Sequence, residues 1–154
     1  MSKTTLKLML AGVFVGCALI ALRAAWATPA VETFTTFIAG PVTLDEIKVG
    51  DDTSGVKIKT KGLWESRVAK IRIAPGGHTG WHSHPGPVFV MITAGTMTLE
   101  QADGSIAVYP AGTGFVEEPG HENIGRNEAD VDLELVAFFL TPLGAAPRTD
   151  EPAP

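Results

Sequence analysis

The stretch GGHTGWHSHPGPVFVMITAG, residues 76–95, decides how the rest of the chain is read. It opens on a glycine pair, carries three of the four histidines, and passes through Pro85-Gly86-Pro87 into Val88-Phe89-Val90-Met91-Ile92-Thr93, which ends at Ala94-Gly95. A short apolar, β-branched run between turn formers has the length of a strand rather than of a helix, and apolar residues on both faces predict an interior strand. His82 and His84 stand at i and i+2. Successive side chains of a strand point to opposite faces, so two imidazoles at this spacing emerge on one face and can chelate a single cation.

The same grammar extends outward. Ser66 to Ile73 alternates polar and apolar residues, as a half-buried strand does, and runs into the turn Pro75-Gly76-Gly77. Beyond Gly95, Thr96 to Glu100 reads as a returning strand, and Asp103-Gly104 predicts a hairpin into Ser105 to Tyr109. Pro110 to Gly114 and Glu118-Pro119-Gly120 punctuate the next stretch. Val131 to Thr141 alternates acidic and apolar residues and becomes wholly apolar from Val136 to Leu140, as suits a strand running from surface to core. No segment carries a long stripe of period 3.6, so the expectation is an all-β sandwich or barrel over residues 42–141.

The ends differ from this pattern. Lys3 and Lys7 precede an uncharged, mostly apolar run from Leu8 to Leu22, and Ala25-Trp26-Ala27 has the small-residue pattern of a signal-peptidase site. Residues 1–27 therefore read as a signal peptide, which places the mature protein in the periplasm or outside the cell. A retained anchor is the alternative, although the apolar run is short against the roughly 20 residues that span a bilayer. A second alternative is a lipid anchor on Cys17. Residues 28–41 read as an N-terminal arm or edge strand that pairs with the barrel or with another subunit. Residues 142–154, rich in Pro and Ala, read as a mobile tail.

Cleavage after Ala27 leaves 127 residues, enough for one core and too few for two. It removes Lys3, Lys7 and Arg23 and no acidic residue, which moves the formal charge from -5 to -8 and argues against nucleic acid as a partner. Cys17 is the only cysteine, so the mature domain has no disulfide and no thiolate. Any metal ligands must be imidazole, carboxylate or amide groups. Neither a phosphate-binding glycine loop nor a zinc-protease helix signature is present.

The spacing of residues 76–95 resembles the first motif of the cupin superfamily: Gly76, five residues, His82-Ser83-His84, three residues, Val88, six residues, Gly95. Val88 occupies the position of the family's glutamate. The second motif is matched in its first half by Gly104, five residues, Pro110-Ala111-Gly112, after which Phe115 stands where the family has histidine. Counted back from Asn127, that position falls on Asn123, with Gly120 correctly placed and His121 two residues earlier on the same strand face. The resemblance spans about Ser66 to Phe139. It implies a cupin-type jelly-roll β-barrel, a homodimer in many relatives, and a divalent metal such as iron, manganese, nickel or zinc in the barrel mouth. It also implies a small-molecule ligand or substrate, in some relatives handled by dioxygenase chemistry.

The expected metal ligands are His82, His84 and His121, with His121 preferred to Asn123 because imidazole is the better donor for later first-row metals. Glu117 and Glu118 read as a solvated acidic turn ahead of Pro119, with the alternative that one carboxylate swings toward the metal. His78 reads as a polar rim residue, and Trp81 and Trp64 as packing residues. Val88 and Met91 are expected to exclude water around a bound molecule. The competing reading is a metal-free binding or sensory module in which the histidines act only as hydrogen-bonding groups.

Overall fold

The structure, a computed structural model, describes residues 26–50, 53 and 55–154. Of the expected signal segment, all but Trp26 and Ala27 lies outside the described residues. Among the described residues every regular element is a strand: β1 (Val31–Leu44), β2 (Lys48–Val49), β3 (Ile58–Lys59), β4 (Trp64–His78), β5 (His82–Ser83), β6 (Val88–Ala94), β7 (Thr96–Gln101), β8 (Ile106–Pro110), β9 (Gly114–Glu117), β10 (Asn123–Arg126), β11 (Leu133–Pro142) and β12 (Thr149–Asp150).

Ten of them form one antiparallel sheet in the order β12-β5-β10-β4-β11-β6-β9, with β1 also on β4 and β7 joining β10 to β8. The sheet curls into a nearly closed barrel of the all-β jelly-roll kind. β2 and β3 make a separate two-stranded ribbon.

Period-2 alternation fills the barrel. Val88, Val90 and Ile92 of β6, Met97 and Leu99 of β7, and Leu133, Leu135 and Ala137 of β11 point inward and pack with Ala69, Ile73 and Phe139. β6 is not buried on both faces as its composition suggests. Phe89 and Met91 are 38% and 48% exposed on its outer side, so Val88 faces the interior and Met91 does not.

Two further expectations are corrected. Pro75-Gly76-Gly77 does not end β4. Thr33 pairs with Ile73 and Val31 with His78, so a short step along β1 spans a longer one along β4, which bulges there around Gly76 at φ +74°. Nor is the C-terminal segment a loose tail. β12 pairs with β5, the Glu151 amide donates to the Trp81 carbonyl at 2.9 Å, and the Thr28 amide donates to the Glu151 carbonyl at 2.8 Å. Composition registers mobility-prone residue types but not the unpaired backbone groups of a two-residue strand such as β5, which need a partner.

Candidate metal centre

The site is built on β5, and the chain enters that strand through a glycine. Gly80 adopts φ +73°, and a Cβ there would lie 2.2 Å from the Thr28 carbonyl oxygen, so the chain turns tightly against the N-terminal segment. The turn breaks the alternation between His78 and His82. His78 stays at the rim, accepting a hydrogen bond from the Gly80 amide on Nδ1 at 3.0 Å, while Trp81 is buried. His82 and His84 share the inner face. They are 5% and 4% exposed, and their rings meet edge to face with centroids 4.8 Å apart.

Each ring is fixed by the backbone. His82 Nδ1 lies 3.0 Å from the Gly80 carbonyl oxygen, and His84 Nδ1 lies 2.6 Å from that of Pro147, in the C-terminal segment. A carbonyl only accepts, so Nδ1 is the protonated nitrogen of both rings, and in the neutral rings Nε2 carries the lone pair. The same device, an N–H held by a carbonyl, orients metal-ligating histidines in general.

The third group arrives from β9. Antiparallel pairing sets Glu117 directly opposite Val88, so the carboxylate enters from the neighbouring strand next to the position where the sequence lacks a glutamate. Glu117 Oε2 is 3.1 Å from His84 Nε2, and both side chains are more than nine-tenths buried. The contact has ion-pair distance without hydrogen-bond alignment, so His84 Nε2 has no hydrogen-bond partner. One donor atom from each of His82, His84 and Glu117 can be chosen so that all lie within 4.8 Å of one another.

His121 does not join them. Its side chain is 59% exposed and 3.7 Å from the still more open Glu118, beside the turn that the Gly120 amide pins to the His84 carbonyl at 2.8 Å. Asn123, by contrast, is 3% exposed and stands opposite His82 in the β5–β10 pair, on the same sheet face. Asn127 is structural, its amide nitrogen donating to the carbonyls of Ile73 and Val131.

Burial holds the His82 pKa down to about 4, with the Arg148 charge adding to the depression and Glu117 and the Gly80 carbonyl opposing it. The ring is neutral at pH 7 and offers its lone pair. Among the described residues, two buried side-chain atoms lack a hydrogen-bond partner, His84 Nε2 and Asn123 Oδ1, and both residues belong to this corner of the barrel. Native interiors rarely leave such atoms unpaired. An imidazole lone pair facing a carboxylate is repulsive unless a cation lies between them, so the donor set of two nitrogens and one carboxylate fits a divalent metal.

The three residues border a cavity of about 270 Å3 inside the barrel. Its walls are mainly apolar, with Val88, Val90, Phe115, Leu135 and Phe139 among them, and Thr33, Thr35, Thr79 and Arg148 add polar groups. Phe139 packs against the His84 ring with centroids 5.6 Å apart.

Sequence comparison agrees with the fold. Residues 69–139 match the model of the cupin domain family. No curated protein matches the chain. Among solved structures it is similar to a cupin-like protein from Thermotoga maritima, with 17% identity over 79% of this chain and 77% of that one and a TM-score of 0.57. It is also similar to an uncharacterized protein with a double-stranded β-helix domain from Klebsiella pneumoniae, with 16% identity over 78% and 84% and a TM-score of 0.54. A cupin domain from Bordetella pertussis gives 19% identity over 75% and 97% with a TM-score of 0.51. At these identities the likeness is one of fold.

Proposed function

We propose that this protein is an exported cupin that holds a divalent metal on His82, His84 and Glu117 and takes a small organic molecule into the adjoining cavity. The observation that carries the reading is the pair of buried imidazoles whose Nδ1–H groups are tied to backbone carbonyls beside a buried carboxylate. Three donors leave open positions on a six-coordinate ion, and two histidines with one carboxylate suit oxygen-activating iron(II) as well as manganese or zinc. The chain's own residues bind and orient, and the apolar wall keeps water from the reacting centre. Oxidation of the bound molecule by dioxygen is the chemistry such a centre would supply. Export is supported by the Lys3, Lys7 and Leu8–Leu22 pattern and by the small-residue sequence Ala25-Trp26-Ala27.

The test is elemental analysis and calorimetric titration of protein purified without a histidine tag. One equivalent of iron, manganese, nickel, cobalt or zinc should bind at micromolar levels near neutral pH. Absence of binding by all five would leave the metal-free module as the better reading. N-terminal sequencing of protein recovered from the envelope or medium should begin at Thr28; an intact Met1 would contradict cleavage.

A further inference from the structure

We propose that Arg148 is the anion anchor of the cavity, and that the molecule taken there is a small monocarboxylate with an apolar body. This rests on the metal reading above and adds the chemical class of the ligand.

Among the described residues, Glu117 and Arg148 are the only carboxylate and the only guanidinium or ammonium group on the cavity wall. Arg148 is held in place from two sides, Nε donating to Asp150 Oδ1 at 2.6 Å and Nη2 to the Thr79 carbonyl at 2.6 Å, with the side chain 28% exposed. Nη1 is left without a partner among the described residues. The residues on either side are fixed to the metal strand, Pro147 through His84 Nδ1 and Thr149 and Asp150 through their pairing with Ser83 and His82. The guanidinium therefore has a set position relative to the two imidazoles, which is the preorganisation that anion recognition needs.

Charge balance selects the ligand. A divalent cation against the Glu117 carboxylate, together with the Arg148–Asp150 ion pair, leaves one net positive charge in a low-dielectric wall, and a monoanion neutralises it. A phosphate dianion would overshoot that charge and want more donors than the wall supplies. The Thr33 hydroxyl already donates to the His78 carbonyl, and the Thr79 hydroxyl to the Gly80 carbonyl. The remaining walls are apolar, and the volume of about 270 Å3 sits at the small end of ligand cavities.

The experiment compares matched acids and amides: benzoate against benzamide and butanoate against butanamide, titrated calorimetrically into zinc-loaded and metal-free protein. The acids should bind the zinc-loaded protein at least tenfold more tightly than the amides. Arg148→Gln, which keeps a donor for the Thr79 carbonyl, should erase that preference while zinc affinity stays within twofold. Acids and amides binding alike to zinc-loaded protein, or a preference unchanged in Arg148→Gln, overturns the anchor and leaves the metal centre standing. Zinc failing to bind overturns the metal centre and, with it, the charge balance on which the anchor rests. Should Arg148→Gln lose its β-sheet circular dichroism, Arg148→Lys carries the test: at least a threefold fall in the ratio supports the anchor and an unchanged ratio overturns it.

Discussion

Among the described residues are two histidine–glutamate pairs built from adjacent carboxylates, and they differ in almost everything except chemistry. His84 and Glu117 meet at 3.1 Å with side chains 4% and 9% exposed; His121 and Glu118 meet at 3.7 Å with side chains 59% and 72% exposed. Glu117 ends β9 with its side chain toward the barrel interior, and Glu118 is the first residue beyond the strand. In the exposed pair, water screens the charges and two mobile side chains must be ordered, so the contact contributes little. In the buried pair the backbone fixes the imidazole, and an unpaired lone pair waits at its far side. The contrast teaches that burial and oriented Nδ1–H groups are what bring candidate donors together, and that histidines clustered in sequence do not suffice.

The severest way to break the contrast is to remove both buried imidazoles. His82→Ala with His84→Ala should lower metal affinity by at least about a thousandfold, roughly 4 kcal/mol, measured by competition against a metal indicator. Far-UV circular dichroism should remain that of a β protein, since the barrel core does not depend on these rings.

The next effect is on stability. His82 has a folded pKa of about 4 against an ordinary value of 6.5, so between these values the unfolded chain binds the proton that the folded one refuses. Metal-free protein should hold this contribution in full above pH 6.5 and lose it as pH falls through about 4, a change on the order of 3 kcal/mol in chemical denaturation. The His82→Ala variant should lack that part of the pH dependence. An identical pH profile in the variant would contradict the assignment.

A smaller effect tests the C-terminal clasp. The Ser83 hydroxyl donates to Glu151 Oε1 at 2.7 Å, joining β5 to the segment that orients His84. Ser83→Ala should cost roughly 1.5 to 3 kcal/mol of unfolding free energy, the range for a hydrogen bond to a charged group. The smallest effect belongs to the exposed pair: His121→Ala should change metal affinity by less than about twofold and stability by under about 0.5 kcal/mol. A tenfold loss there would restore His121 as a ligand.

The barrel was legible because alternation, turn residues and the His82-Ser83-His84 spacing are local signals that agree with one another. What the sequence could not carry was the third member of the buried cluster, Glu117. β9 is four residues long, too short for its alternation to tell Glu117 from Glu118, and the pairing of Glu117 with Val88 joins residues far apart in the chain. The vacant glutamate position at Val88 was the available signal, since an adjacent strand can deliver the same group to the same place. His121 misled because it lay at strand spacing from Asn123, whereas β10 starts only at Asn123 and leaves His121 in the preceding turn. Met91 misled because an apolar residue on the outer face of a strand looks the same in sequence as one on the inner face. The Pro142 to Pro154 segment misled because its value lies in backbone carbonyls, above all that of Pro147, and side-chain composition does not record them.

Neighbouring carboxylates give the most direct test of the central claim. Tag-free wild-type protein, Glu117→Gln and Glu118→Gln should be titrated side by side with manganese and zinc by calorimetry. The account predicts that Glu117→Gln loses at least tenfold in affinity, about 1.4 kcal/mol, while Glu118→Gln stays within twofold of wild type. Equal losses in both variants, or a greater loss in Glu118→Gln, would contradict it.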